Sequence, residues 1–377
     1  MKKWILFACS LTLAFTACAK TAPTQENPDS GDTKIMDLDY AEQFSVQYLE
    51  NGCAEISITD GCEYILVPED TEIPAHDPDQ VILQQPLEHI YLAASSAMDL
   101  FDSLDSLDRI ALTSTKDWSF PHVQNALDSG NILYAGKYST PDYELLLSQE
   151  CDIAIESTMI HHSPEVKEQI EQLGIPVFTE RSSYETHPLG RMEWIKLYGL
   201  LLNQSEEAAA FFAQKKELFQ EITNAVSESD PDQEQKTVAF FSISPNGYVT
   251  IRKPGDYVSH MIASAGGISV FTAENLEIEE NSLSTMNIQL EIFYELAKDA
   301  DIFIYNNLIN DELDTLQKLL DKNPVLADCK AVRNGNVWCV GQNLFQQSTN
   351  AAEIIADFYA ILHEDSDRQI EFLQQLT

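Results

Sequence analysis

The sequence predicts an α/β protein of two lobes with mainly parallel central sheets, joined by a long connector helix. Three observations predict it. Short apolar runs alternate with amphipathic stretches over residues 88–178 and again over 237–362, the pattern of strands and helices in turn. Between about Arg191 and Val226 the spacing is helical throughout, with no strand signal. The chain has 377 residues, of which 44% are hydrophobic; that is long for one ordinary core and apolar enough for two.

The elements follow in order. Residues 44–67 alternate apolar and polar side chains, with Asn51-Gly52 and Asp60-Gly61 as turn signals, and predict two or three antiparallel strands. Strands are then predicted at 88–93, 107–112, 152–155 and 177–178, and helices at 95–104, 142–149 and 164–173. Together they make a first lobe, residues 41–205. Two apolar stripes, Met192 to Leu201 and Ala208 to Ile222, predict two helices broken at Asn203-Gln204-Ser205. The second opens on Ser205-Glu206-Glu207, residue types that suit a helix N-terminus. Residues 206–235 hold this connector and a charged break at 227–235. A second lobe fills 236–377, with strands at 237–243, 301–305 and 336–340 and helices at 257–265, 290–298, 313–320 and 351–362. Gly266-Gly267 stops the first of those helices.

Ahead of the lobes, Lys2 and Lys3 precede a run to Ala17 that is apolar apart from Ser10, Thr12 and Thr16. This is the pattern of a signal peptide over 1–17: a positive start, then an apolar stretch too short for a membrane span that ends in small residues. Residues 18–40 carry Pro and Asp without apolar periodicity and predict a flexible tether. The formal charge is -39, from 61 acidic against 22 basic residues. A field of that sign repels nucleic-acid phosphates and anionic headgroups, so no nucleic-acid partner is expected. After Cys18 five cysteines remain, at 53, 62, 151, 329 and 339, with no CxxC pair and no His at zinc spacing. Cys53 and Cys62 flank a hairpin; a disulfide and buried free thiols both fit.

Several strings resemble the class III substrate-binding proteins of ABC importers, the iron-siderophore, haem and cobalamin type. They are Tyr91-Leu-Ala-Ala-Ser-Ser-Ala-Met98, Ile132-Leu-Tyr-Ala-Gly-Lys-Tyr-Ser139, Pro141-Asp-Tyr-Glu-Leu145, Glu180-Arg-Ser-Ser-Tyr-Glu185, His187-Pro-Leu-Gly-Arg-Met-Glu-Trp194 and Asn334-Gly-Asn-Val-Trp338. Their order and spacing carry the likeness, which runs from about Ile90 to Leu362. Phe15-Thr16-Ala17-Cys18 similarly resembles a bacterial lipobox, with Phe15 where Leu is usual. The resemblance implies a ligand cleft between the lobes, slight lobe closure, and a lipid on Cys18. It implies an ABC permease and its ATPase subunits as partners, and a monomer at the surface of a Gram-positive cell. It also implies a metal-chelate cargo (ferric siderophore, haem or cobamide) with no intrinsic cofactor. A surface Glu on each lobe would dock on the permease: Glu144, eight residues before Asp152, and Glu291, ten before Asp301. Glu295, six before Asp301, is the alternative to Glu291; residues 286–294 read as the opening of that helix and favour Glu291.

Ligands of such proteins sit at loops on the carboxyl ends of strands. The candidates on predicted loops are Trp118, Lys137, Tyr138, Arg181, Arg191, Tyr248, Arg252 and Phe345. Aromatics stack on planar or apolar groups, and Arg forks onto carboxylates. His187 either caps the connector or serves as an axial ligand to a haem or corrinoid. His161-His162 reads as a loop pair, since neighbours on a regular element face different ways. No GxSxG elbow, P-loop or post-strand GxGxxG is present, so no enzyme activity is expected. The rival readings are a surface-anchored hydrolase or chelatase-like enzyme on a similar scaffold, and a bare metal-ion binding protein.

Overall fold

The structure, a computed structural model, describes residues 34–229, 234–307, 313–341 and 343–377, without the side chains of Asn343 and Phe345. The signal run and Cys18 lie outside the described residues.

A small sheet comes first. Strands β1 (Phe44–Tyr48), β2 (Ala54–Ile58) and β3 (Glu63–Val67) form an antiparallel meander, and β4 (Val81–Gln84) adds to β3 in parallel. The alternation of the sequence sends Phe44, Val46, Ala54, Ile56 and Ile58 inward. The two or three antiparallel strands expected over 44–67 are three, and β4 was not expected. The five later cysteines are free thiols, and Cys53 and Cys62 form no disulfide.

The first lobe holds β5 (Ile90–Leu92), β6 (Ile110–Thr113), β7 (Leu133–Tyr134), a short hairpin of β8 (Gly136–Lys137) and β9 (Thr140–Pro141), then β10 (Ile153–Ser157) and β11 (Val177–Glu180). The sheet order is β11-β10-β5-β6-β7, and every pairing is parallel. Helices α1 (Met98–Ser103), α2 (Pro121–Asp128), α3 (Tyr143–Ser148) and α4 (Pro164–Gln172) run between the strands. The connector is two helices, α5 (Pro188–Leu201) and α6 (Ser205–Glu228). They pack so closely that a Cβ on Gly199 would run into Ala208.

The second lobe is mixed. Strands β12 (Thr237–Ile243), β13 (Val249–Arg252), β14 (Ile268–Ser269), β15 (Thr285–Ile288), β16 (Ile302–Asn306), β17 (Val337–Val340) and β18 (Leu373–Gln375) form its sheet. β12 pairs in parallel with β14 and β16, and β16 with β17; β13, β15 and β18 are antiparallel. Helices α7 (Tyr257–Ser264), α8 (Ala273–Leu276), α9 (Leu290–Ala297), α10 (Leu316–Lys322), α11 (Lys330–Arg333), α12 (Asn343–Gln346) and α13 (Ala351–His363) complete it. Residues 286–288, expected to open a helix, instead end β15, and that helix starts at Leu290.

One apolar core runs through both lobes. It includes Phe44 and Ile56 of the small sheet, Leu92 and Ile155 of the first lobe, Trp194 and Ile195 of α5, Phe212 of α6, Phe240 and Ile304 of the second sheet, and Ile355 of α13. A lobe pair that shares such a core resists large hinge opening. Polar ties cross the same boundary: Thr349 donates its backbone N–H to Asp99 at 2.8 Å, and Ser119 donates to Gln346 at 2.7 Å.

Candidate functional site

The carboxyl ends of the first-lobe strands converge on an open cleft of about 620 Å³. Four of the five strands deliver hydroxyls to it: Ser95 and Ser96 after β5, Ser114 and Thr115 after β6, Ser157 and Thr158 at the end of β10, and Ser183 after β11. Tyr138, Tyr184, Met159 and Lys137 also line it. From the second lobe, among the described residues, Leu283 and Ser284 face it. Such a volume and mixture of apolar bodies with spaced polar groups suit a small-molecule site.

Local structure fixes these groups. Glu180, 1% exposed, accepts from Ser96 Oγ at 2.7 Å and from the Ser182 N–H at 2.8 Å, so one buried carboxylate shapes two cleft loops. Ser114 Oγ donates to the Ala93 carbonyl at 3.0 Å. The β8–β9 hairpin that presents Lys137 and Tyr138 needs Gly136: its φ is +90°, and a Cβ there would meet the Thr140 carbonyl oxygen at 2.7 Å.

The expected cleft residues divide. Lys137 and Tyr138 line the cleft. Arg181 lies over the Tyr184 ring at 4.1 Å and donates to Gln43 Oε1 at 2.8 Å, which places it behind a lining residue. Trp118 is buried in the core against Phe120, but its indole N–H donates to the carbonyl of the lining residue Thr115 at 3.2 Å. Tyr248 is exposed beside β13 and does not line the cleft. Arg252 is buried in an ion pair with Asp256 at 3.3 Å, because a guanidinium taken out of water needs a carboxylate. Arg191 is buried against Tyr257, away from the cleft. The Phe345 side chain lies outside the described residues.

His187 is a cap. Its Nδ1 accepts from the Leu189 N–H at 3.1 Å, and its ring stacks on Tyr40 at 4.3 Å, which keeps it out of the cleft. Burial, then the neighbouring His260, pushes its pKa down to about 4, so it is neutral at ordinary pH. His161 Nε2 sits 3.2 Å from Asp60 Oδ2 on the surface. Among the described residues no group of three His, Cys, Asp or Glu is placed to hold a bare metal ion.

Sequence reasoning missed the hydroxyls, Met159 and Tyr184. A signal for them existed: Ser or Thr residues stand within a few positions after each first-lobe run that was read as a strand.

The two docking candidates occupy matching places. Asp152, just ahead of β10, accepts from the N–H groups of Glu88 and His89, which lead into β5. Asp301, just ahead of β16, accepts from the N–H and hydroxyl of Thr237, which opens β12. α3 leads to Asp152 and α9 to Asp301, and Glu144 and Glu291 are each the second residue of their helix. Both are exposed.

These features define a two-lobed α/β ligand-binding protein. Residues 90–344 match the periplasmic binding protein family, and the chain belongs to that family. The small N-terminal sheet precedes the matched range. An uncharacterized lipoprotein of Methanocaldococcus jannaschii is 22% identical over 324 residues, covering 81% of this chain and 73% of that one. A second from the same organism is 24% identical over 344 residues, covering 86% and 82%. Among solved structures, a periplasmic heme binding protein from Pseudomonas aeruginosa superposes with a TM-score of 0.62 at 17% identity, covering 77% of this chain and 98% of its own. A component of an ABC-type Fe3+-hydroxamate transport system from Saccharomonospora viridis gives 0.54 at 18%, covering 73% and 93%. No helix among the described residues is long and apolar enough to cross a membrane.

Proposed function

We propose that this chain is the extracytoplasmic substrate-binding lipoprotein of an ABC importer. It captures a small metal chelate (ferric siderophore, haem or cobamide) between its lobes and delivers it to the permease and its ATPase subunits. The observation that carries this reading is the open cleft of about 620 Å³ at the carboxyl ends of a parallel sheet, in a member of the periplasmic binding protein family. Its hydroxyls supply donors and acceptors to a polar ligand rim, Tyr138 and Tyr184 supply stacking faces, and Lys137 offsets a ligand carboxylate. For haem, Tyr138, Tyr184 and Met159 are of axial-ligand types. A bare ion has no donor set among the described residues. Cys18 carries the lipid, the residues after it form the tether, and the protein acts as a monomer.

Glu144 and Glu291 dock the two lobes on cationic pockets of the permease. Their matching positions favour Glu291 over Glu295, which is engaged with Lys298 at 2.7 Å. Each stands near an exposed apolar residue, Leu147 and Ile292, so each contact would combine charge with burial. In the Glu144→Ala, Glu291→Ala double variant, chelate uptake by whole cells falls to background while ligand binding by the purified protein is unchanged. Intact uptake, or weakened binding, contradicts the docking assignment.

A further inference from the structure

A second built site lies outside the cleft, where helices of both halves meet. Its walls are Pro188 and Arg191 of α5, Tyr257 and Met261 of α7, Ser348 just ahead of α13, and Ala351 in its first turn. Arg191 is 8% exposed, and its guanidinium lies 4.0 Å over the Tyr257 ring. Its Nε–H has no hydrogen-bond partner, and neither has the buried Ser348 hydroxyl. The space between them leaves about 10 Å³ for the centre of a water-sized particle.

Charge decides what belongs there. An Arg side chain does not lose its proton in a protein. A buried cation requires compensation. The neighbouring Arg252, 5.6 Å from the same ring, has its own carboxylate in Asp256. No carboxylate among the described residues stands within ion-pair distance of Arg191. The acids of α13, Glu353 and Asp357, are engaged with Lys215 and with the backbone of residues 371–373. Asp99 of α1 accepts from Thr349. The face of Tyr257 compensates part of the charge. The first turn of the 13-residue α13 adds the positive end of a helix dipole instead of opposing it. A water molecule would satisfy the orphan donor without adding negative charge.

We infer that this cavity is a monatomic anion site, chloride under ordinary conditions, held by Arg191 Nε and the Ser348 hydroxyl beside the N-terminal turn of α13. It pins α5 to α7 and α13 and so fixes the relative setting of the two lobes. The inference stands whether or not the chain serves an importer.

The test uses crystals of the protein soaked in bromide, with melting curves in chloride and in gluconate at equal ionic strength. The expected result is an anomalous peak in contact with Arg191 and Ser348. The melting temperature rises with chloride, and the rise is lost in Arg191→Met and reduced in Ser348→Ala. If Arg191→Met does not fold, the peak in the unaltered protein and the Ser348→Ala curve decide. Absence of an anomalous peak at Arg191 overturns the site. A peak with no chloride-dependent shift marks an adventitious ion only and overturns it equally.

Discussion

In the first half of the chain, Glu193 of α5 is fully buried and accepts the backbone N–H groups of Asp39, Tyr40 and Ala41. In the second half, Asp357 of α13 is 3% exposed and accepts those of Glu371, Phe372 and Leu373. Both ends of the described chain are thus stitched to a central helix by a buried carboxylate. The difference lies in the rest of the anchorage. The N-terminal segment has a second carboxylate, Glu185, which accepts from Glu42, Gln43 and the Trp194 indole, and Glu193 is ion-paired with Lys196 at 2.6 Å. The C-terminal segment has the β18 ladder on β17 instead. The N-terminal end adds to its carboxylates only a short bridge of residues 34–36 to β1, whereas the C-terminal end rests largely on sheet pairing.

The largest effect should follow from breaking the first arrangement. Glu193→Ala leaves three backbone donors without their acceptor and removes the buried partner of Lys196, and should cost about 3 kcal/mol in urea unfolding. Asp357→Ala should cost less, about 2 kcal/mol, because the β18 pairing remains. Equal losses, or a larger loss at Asp357, would break the comparison.

A smaller effect separates the sheets. Glu156 on β10 is 0% exposed, both its oxygens lack partners, and burial pushes its pKa up to about 8. The group stays protonated in the fold and ionises in the unfolded chain, whose value is near 4.5. Its contribution is therefore fully present below pH 4.5 and is lost as pH rises toward 8. Glu156→Gln should flatten this limb, stabilising the protein by roughly 2 kcal/mol already at pH 6 and by almost nothing below pH 4.5. Asp301 of the second lobe has the opposite sign. Burial opposes its ionisation, yet the bonds from Lys330 and Thr237 hold it below the ordinary carboxylate value. Its contribution is present above pH 3.8 and lost in acid. Being partly exposed and screened by solvent, it is worth only a few tenths of a kcal/mol.

How much the sequence disclosed differs between the lobes for the same reason that their sheets differ. Parallel strands covered on both faces read as unbroken apolar runs, as Ile153–Ile155 and Ile302–Tyr305 do. Strands at the borders of the mixed sheet carry polar residues facing water. Thr285, Asn287, Gln374 and Gln375 are exposed, so β15 and β18 look like loop. Of the site, Lys137 and Tyr138 were legible because they fall in a stretch read as loop and stand out chemically. The arginines stood out as well, but rarity in an acidic chain marked burial and pairing for Arg191 and Arg252. The cleft hydroxyls escaped notice because Ser and Thr are common in loops, and only their repeated place after strands sets them apart.

The measurement that tests the central claim most directly is a ligand titration of the chain starting at Ala19, followed by tryptophan fluorescence. Trp118 is bonded to the carbonyl of the cleft residue Thr115 and should report occupancy. The panel is a set of ferric siderophores, haem and cobalamin. The account predicts saturable, submicromolar binding of one of them, weakened about tenfold (about 1.4 kcal/mol) by Tyr184→Ala or Lys137→Ala, with the ligand recovered chemically unchanged. Turnover of a bound compound, or affinity indifferent to both substitutions, would contradict it.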